Sequence, residues 1–154
     1  MRKTITLFLS LTIMSLLSQT LCAKLMMTPW GEKVTSENCW RSYPRPQMER
    51  EGWTCLNGDW DYQITSIIDT MNRPEKWAGK ISVPFALEAP LSGCGGRLLE
   101  PHEYLWYTRK IDLNPKKGER ILLHFGAVDF RAVVYLGHDE VGLHVGGQLP
   151  FTVD

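Results

Sequence analysis

The sequence predicts an all-β protein, a sandwich or barrel of short strands. Three observations predict it. Aromatic and β-branched residues gather in runs of strand length, as in "YLWYTRKIDL" and "RILLHFGAVDFRAVVYL". Turn residues separate those runs, among them Asn57-Gly58, Asn114-Pro115 and Lys116-Lys117-Gly118. Hardly any stretch carries a helical apolar stripe, and no internal repeat is visible. A chain of 154 residues that is 44% hydrophobic and 22% charged has globular composition and room for one domain of ordinary size. Lys+Arg 17 balance Asp+Glu 17, and no basic run stands ready to neutralise a phosphate backbone, so nucleic acid is not an expected partner.

At the start of the chain, "MRKTITLFLSLTIMSLLSQTLCA" has Arg2 and Lys3 and then an apolar run from Ile5 to Leu17, the design of a secretory signal peptide over residues 1–23 with cleavage near Ala23. That run is shorter than the ~20 residues a spanning helix needs, so export to the periplasm or the exterior is expected, with no membrane attachment after cleavage. Gln19-Thr20-Leu21 lacks the small residues that precede a lipidated cysteine, which argues against an anchor on Cys22. The cut leaves Cys39, Cys55 and Cys94, an odd number without C-x-x-C spacing, so neither a zinc cage nor a disulfide framework is indicated. Three small apolar fillers are the expected role, with one bridge between Cys39 and Cys55 left open.

Residues 24–52 are rich in Pro, Trp and charge, as in "WRSYPRPQMEREGW", and read as an extended arm laid over a core. The β-domain is expected over residues 53–154. Asn57-Gly58 is a strong turn dipeptide, after which Trp60, Tyr62 and Ile64 fall on one face of a strand and Asp61 and Gln63 on the other. "ITSIIDTMNRPEKW" has some helical character but is stopped by Pro74, and reads as a loop or a single turn. "KISVPFALEAPLSGCGG" is a short strand ended by Pro84 and then a loop marked by Pro90, Gly93, Gly95 and Gly96. The segment from Val141 to Asp154 ends in the alternation of one more strand, "LPFTVD", with nothing after it to serve as a partner.

Taken in order, "YPRPQMEREGWTCLNGDWDY", "ISVPFALEAPLSG", "LWYTRKIDL", "LLHFGAVDFRAVVYL" and "VGLHVGGQLPFTVD" resemble the N-terminal sugar-binding domain of glycoside hydrolase family 2. That family includes β-galactosidases, β-glucuronidases and β-mannosidases, and the likeness runs from about Tyr43 to Asp154. The resemblance implies a galactose-binding-like jelly-roll β-sandwich, followed in the family by an immunoglobulin-like domain and a (β/α)₈ barrel that carries the catalytic glutamates. It implies as well that the sandwich is incomplete at its C-terminal end here, that the chain packs on those further domains, and that it does not itself hydrolyse sugars. A sandwich lacking later strands leaves open edges and an uncovered apolar face, so residues 24–154 alone are not expected to give a monomeric, cooperative fold.

Retaining glycosidases need two carboxyl groups ~5–5.5 Å apart. None of Glu49, Glu51, Glu88, Glu100, Glu103, Glu119 and Glu140 sits in the family's catalytic motifs, so no acid-base pair is assigned. Glu100 to Glu103, "EPHE", is the one tight acid cluster with a histidine and reads as a solvated loop rather than a metal site. The resemblance points to Asp129, between the "LLHF" strand and the next, as the residue that would project towards a sugar. A carboxylate there would accept hydrogen bonds from hydroxyls, whereas the bland alternative is a turn-capping Asp. Arg131 reads as a surface charge. His144 reads as a hydrogen-bonded structural residue, and Gly146-Gly147 as a turn that needs positive φ or close backbone approach.

Gly137-His138 replaces the Asn-Gly usual in the family's hairpin, leaving Gly137 to supply one positive φ. Trp60, Trp106 and Tyr107 are expected to pack within strands, and Trp30, Trp40 and Trp53 to dock from the arm onto the sandwich or a neighbouring domain, so none is assigned as a sugar platform. No cofactor is expected, and no ligand set for calcium, magnesium or sodium is visible. Carbohydrate is the expected partner, through the complete enzyme. A free-standing carbohydrate-binding module and a non-functional gene fragment are the alternatives.

Overall fold

The computed structural model describes residues 27–69 and 73–154, so the expected signal peptide, residues 1–23, lies outside the described residues. The described residues are all-β: among them seven short strands form small antiparallel sheets, and the helical elements are single 3₁₀ turns. No helix among the described residues is long and apolar enough to cross a membrane. The chain falls into two compact units, one up to Arg109 and one from Lys110 to Asp154.

In the first unit the described residues of the arm carry 3₁₀ turns at Gly31–Lys33 and Pro46–Met48 and no strand, in keeping with their Pro-rich, aperiodic sequence. Strand β1 (Gly58–Ser66) is the middle of a three-stranded sheet, flanked by β2 (Gly79–Val83) and β3 (Glu103–Thr108). The registers set Trp60 opposite Ile81 and Tyr62 opposite Tyr107. Asn57-Gly58 does not turn a hairpin. Gly58 opens β1 at φ 114°, and a Cβ there would lie 2.6 Å from the Ser36 carbonyl oxygen, so the glycine lets the arm approach the strand. Asn57 Nδ2 donates to the Trp40 carbonyl at 3.1 Å, and the Cys39 thiol donates to Val83 O at 3.3 Å, pinning the arm to both β1 and β2.

The apolar side chains buried among the described residues are Cys39, Ile81 and Leu87. Cys39, Cys55 and Cys94 are free thiols, with Cys39 the buried filler and the other two half-buried; the Cys39–Cys55 bridge is not formed. The half-buried alternation expected of β1 is not seen, because from Trp60 to Ser66 every side chain is partly covered. Trp60 and Trp106 are half-buried, but Tyr107 is exposed, a correction to its expected packing. Trp53 packs edge-on against Tyr43 at 5.0 Å. Trp30 and Trp40 stay 79% and 72% exposed, so of the three arm tryptophans only Trp53 is covered within this chain. The loop after β2 obeys the punctuation of its sequence, with a 3₁₀ turn at Pro90–Ser92 and positive φ at Gly93, Gly95 and Gly96.

The second unit holds two strand pairs. β5 (Arg131–Leu136) and β6 (Asp139–Val145) form a hairpin whose two-residue turn is Gly137-His138, and Gly137 supplies the positive φ of 64°. The register shifts between Val134 and Tyr135, so that pairing passes over Val141. β4 is shorter than its apolar sequence suggests, only Leu123–Phe125. The final strand, β7 (Phe151–Val153), does have a partner: it pairs backwards with β4, Leu123 opposite Val153 and Phe125 opposite Phe151. The expectation of a last strand left unpaired is thereby corrected, because antiparallel pairing reaches back over the intervening hairpin.

Candidate functional site

Asp129 stands on the connection between β4 and β5, exposed, and is joined to Phe130 by a cis peptide. Its surroundings are set by the end of β6. The Gly146 N–H donates to the Phe130 carbonyl at 2.8 Å, closing the hairpin at its open end and placing Gly147 beside Asp129. A Cβ on residue 147 would collide with Asp129 Oδ1 and lie 2.8 Å from its Cγ, so the carboxylate occupies space that only glycine leaves. Gly146, at φ 131°, completes the turn. Both glycines therefore act as expected, one by positive φ and one by close approach. Among the described residues the Asp129 carboxylate makes no hydrogen bond or ion pair, so its oxygens remain open to a donor from outside. Arg131 is exposed at the start of β5.

His144 lies close by and is firmly held. Its Nε2–H donates to Gly146 O at 2.9 Å, since a carbonyl only accepts, and its ring stacks on Phe151 with centroids 4.2 Å apart. Phe151 in turn stacks on Phe125 at 4.6 Å. The imidazole thus orients the Gly146-Gly147 turn, and through it the floor beneath Asp129, as a hydrogen-bonded structural histidine.

The Glu100 to Glu103 cluster has a different chemistry. Arg97 donates from Nη1 and Nη2 to both Glu103 oxygens, at 2.9 and 2.7 Å, and the Glu100 N–H adds a third bond at 3.0 Å. The Arg97 fork first, and the backbone donor second, pull the Glu103 carboxyl down from 4.5 to about 2. A carboxyl so held is a poor proton donor at neutral pH, and its work is to close the loop before β3. Because the folded state favours the ionised form, its contribution to stability is complete above pH 4.5 and is lost as the pH falls towards 2. The difference in urea midpoint between wild type and Glu103→Gln is therefore expected to shrink over that window. A difference that stays constant from pH 6 to about pH 2 would contradict the assignment.

Glu88 and Glu119 accept backbone N–H groups of Leu99 and Lys116, while Glu49, Glu51 and Glu140 are exposed. Among the described residues no three His, Cys, Asp or Glu side chains converge so as to hold a metal ion. A second polar concavity lies in the first unit, between the arm and the β1–β2 ladder. It is formed by residues without a motif, and its one sequence signal is the polar set Asp59, Asp61, Lys80 and Ser82 at alternate strand positions. Scanned against models of protein families, the chain matches none, and no curated protein matches it.

Proposed function

We propose that this chain is the N-terminal, sugar-binding-like part of a secreted or periplasmic retaining glycosidase of the glycoside hydrolase family 2 type. It supplies scaffold and one pocket residue and leaves bond cleavage to a catalytic barrel. The five ordered sequence segments support the family, and the all-β architecture supports a galactose-binding-like jelly roll as the complete form of the domain. Carbohydrate reaches the chain through the assembled enzyme, where immunoglobulin-like and barrel domains pack against it.

The observation that carries the role of Asp129 is its exposed carboxylate, which is seated on Gly147 and caps no turn among the described residues. A turn-capping aspartate would commit its oxygens to nearby backbone N–H groups. An uncommitted one is available to sugar hydroxyls as a charge-assisted acceptor. In the complete enzyme, Asp129→Ala is expected to lower kcat/KM by about tenfold or more, equal to about 1.4 kcal/mol of transition-state binding. An unchanged kcat/KM on β-galactosides, β-glucuronides and β-mannosides would remove the residue from the pocket. Turnover of any of these by the purified 154-residue chain would remove the accessory role itself.

A further inference from the structure

We propose that the concavity between the arm and the β1–β2 ladder is a binding site for a single neutral sugar ring, separate from Asp129. The cavity measures about 270 Å³, just below the roughly 300–1,000 Å³ of drug-sized ligand pockets, which suits one ring and excludes a dinucleotide-sized cofactor. Its polar lining is Thr35 and Ser36 from the arm, Asp59, Lys80 and Ser82 from the sheet, and Ser92 from the loop after β2, whose hydroxyl donates to Leu87 O and accepts from the Cys94 N–H.

The register explains the lining. Asp59 pairs with Ser82 and Asp61 with Lys80, so alternate positions put all four side chains on one face of the ladder. Opposite them the arm is braced. Asn38 accepts the Thr35 N–H at 2.8 Å and donates to Lys33 O at 2.8 Å, while Arg41 donates to Ser36 O at 3.2 Å and Glu37 O at 2.9 Å. Gly58 lets Ser36 come this close. The wall is thus organised before any ligand arrives, which lowers the ordering cost of binding.

The charges disfavour an anionic ligand. Lys80 is already joined to Asp61 at 2.8 Å, which leaves no uncompensated cation for a carboxylate or phosphate. Asp59 makes no hydrogen bond or ion pair among the described residues, and the Ser36 and Ser82 hydroxyls bond to none of them either. These groups ask for a partner that both donates and accepts. Val34 and Leu91 add apolar surface at the same cavity, suited to the C–H face of a ring. A pyranose combines the two: hydroxyls around its edge, donated to a carboxylate and exchanged with serines, and an apolar face.

The site does not depend on the glycosidase reading, and its test separates the two. The full chain is titrated with D-galactose, D-glucose and D-mannose, and with ethanolamine, phosphate and D-glucuronate as charged probes. Saturation-transfer NMR is the readout because protein association does not blunt it. Saturation transfer to at least one neutral sugar is expected, weakened about tenfold in Asp59→Asn by loss of a charge-assisted hydrogen bond, and weakened as well in Ser82→Ala. Asp59 is exposed and Ser82 half-buried, and circular dichroism checks that each variant keeps the wild-type fold. No transfer to any neutral sugar, tighter binding of a charged probe, or transfer that survives both first-unit substitutions would overturn the proposal. Binding lost in Asp129→Ala but kept in Asp59→Asn would overturn it too, while supporting the pocket role of Asp129.

Discussion

Truncating Ile81 to alanine is expected to unfold the three-stranded sheet rather than loosen it. Ile81 has 0% of its surface exposed, stands in the middle of β2 opposite Trp60, and shares the buried apolar core of the described residues with only Cys39 and Leu87. Removing a buried isoleucine down to alanine typically costs about 2–5 kcal/mol, the lost transfer energy plus the cavity left behind. Whole domains are stable by only about 5–15 kcal/mol, and a core this small puts the first unit at the low end of that range. The substitution therefore removes much of what holds the sheet. Tryptophan fluorescence during urea titration will report it through Trp60 and Trp106, half-buried in β1 and β3. Ile68→Ala is the matched control: with 84% exposure it should move the midpoint by less than about 0.5 kcal/mol. Equal midpoints for the two variants would refute the placement of the core.

The second large effect is self-association through the second unit. In the β5–β6 hairpin, Ala132, Val134, Gly142 and His144 share one face, and that face meets β7: His144 stacks on Phe151 and Gly142 lies under Val153. Val133, Leu143 and Val145 point the other way, with Leu143 and Val145 each 55% exposed. Two-stranded pairs are marginal in water, and uncovered apolar faces seek other chains. Residues 24–154 are expected to elute in concentration-dependent associated forms, to bind a hydrophobic dye, and to melt broadly. Leu143→Asn with Val145→Thr should shift elution towards monomer and reduce dye binding, because it makes the outer face polar and leaves the inner stacking alone. A sharp two-state melt from a clean wild-type monomer would contradict this.

Both expectations rest on facts of different origin. That β1, β3 and β5 would be strands is legible in Trp60, Tyr62, Trp106 and Val133, because aromatic and β-branched side chains favour extended backbone wherever the chain goes. Gly137 announces positive φ, and Gly93, Gly95 and Gly96 a loop, for a similarly local reason: other residues meet a steric clash at the positive φ these glycines adopt. Asp129 could be singled out through the family resemblance of the segments around it, and Gly146-Gly147 from the pair itself. That the two meet could not be seen, because their contact depends on how the hairpin closes.

By itself, then, the sequence determined the β character, the turns at Lys117-Gly118 and Gly137-His138, the irregular arm and the filler role of Cys39, all consequences of single residues or of their spacing along a few positions. Only the tertiary structure decided that Phe151–Val153 reaches back to Leu123–Phe125, that Trp30 and Trp40 stay uncovered, and that Asp59 and Ser82 face an arm braced by Asn38 and Arg41. Those outcomes join segments distant along the chain. Their energies come from packing and from the cost of closing the intervening loops, and neither is carried by any one segment.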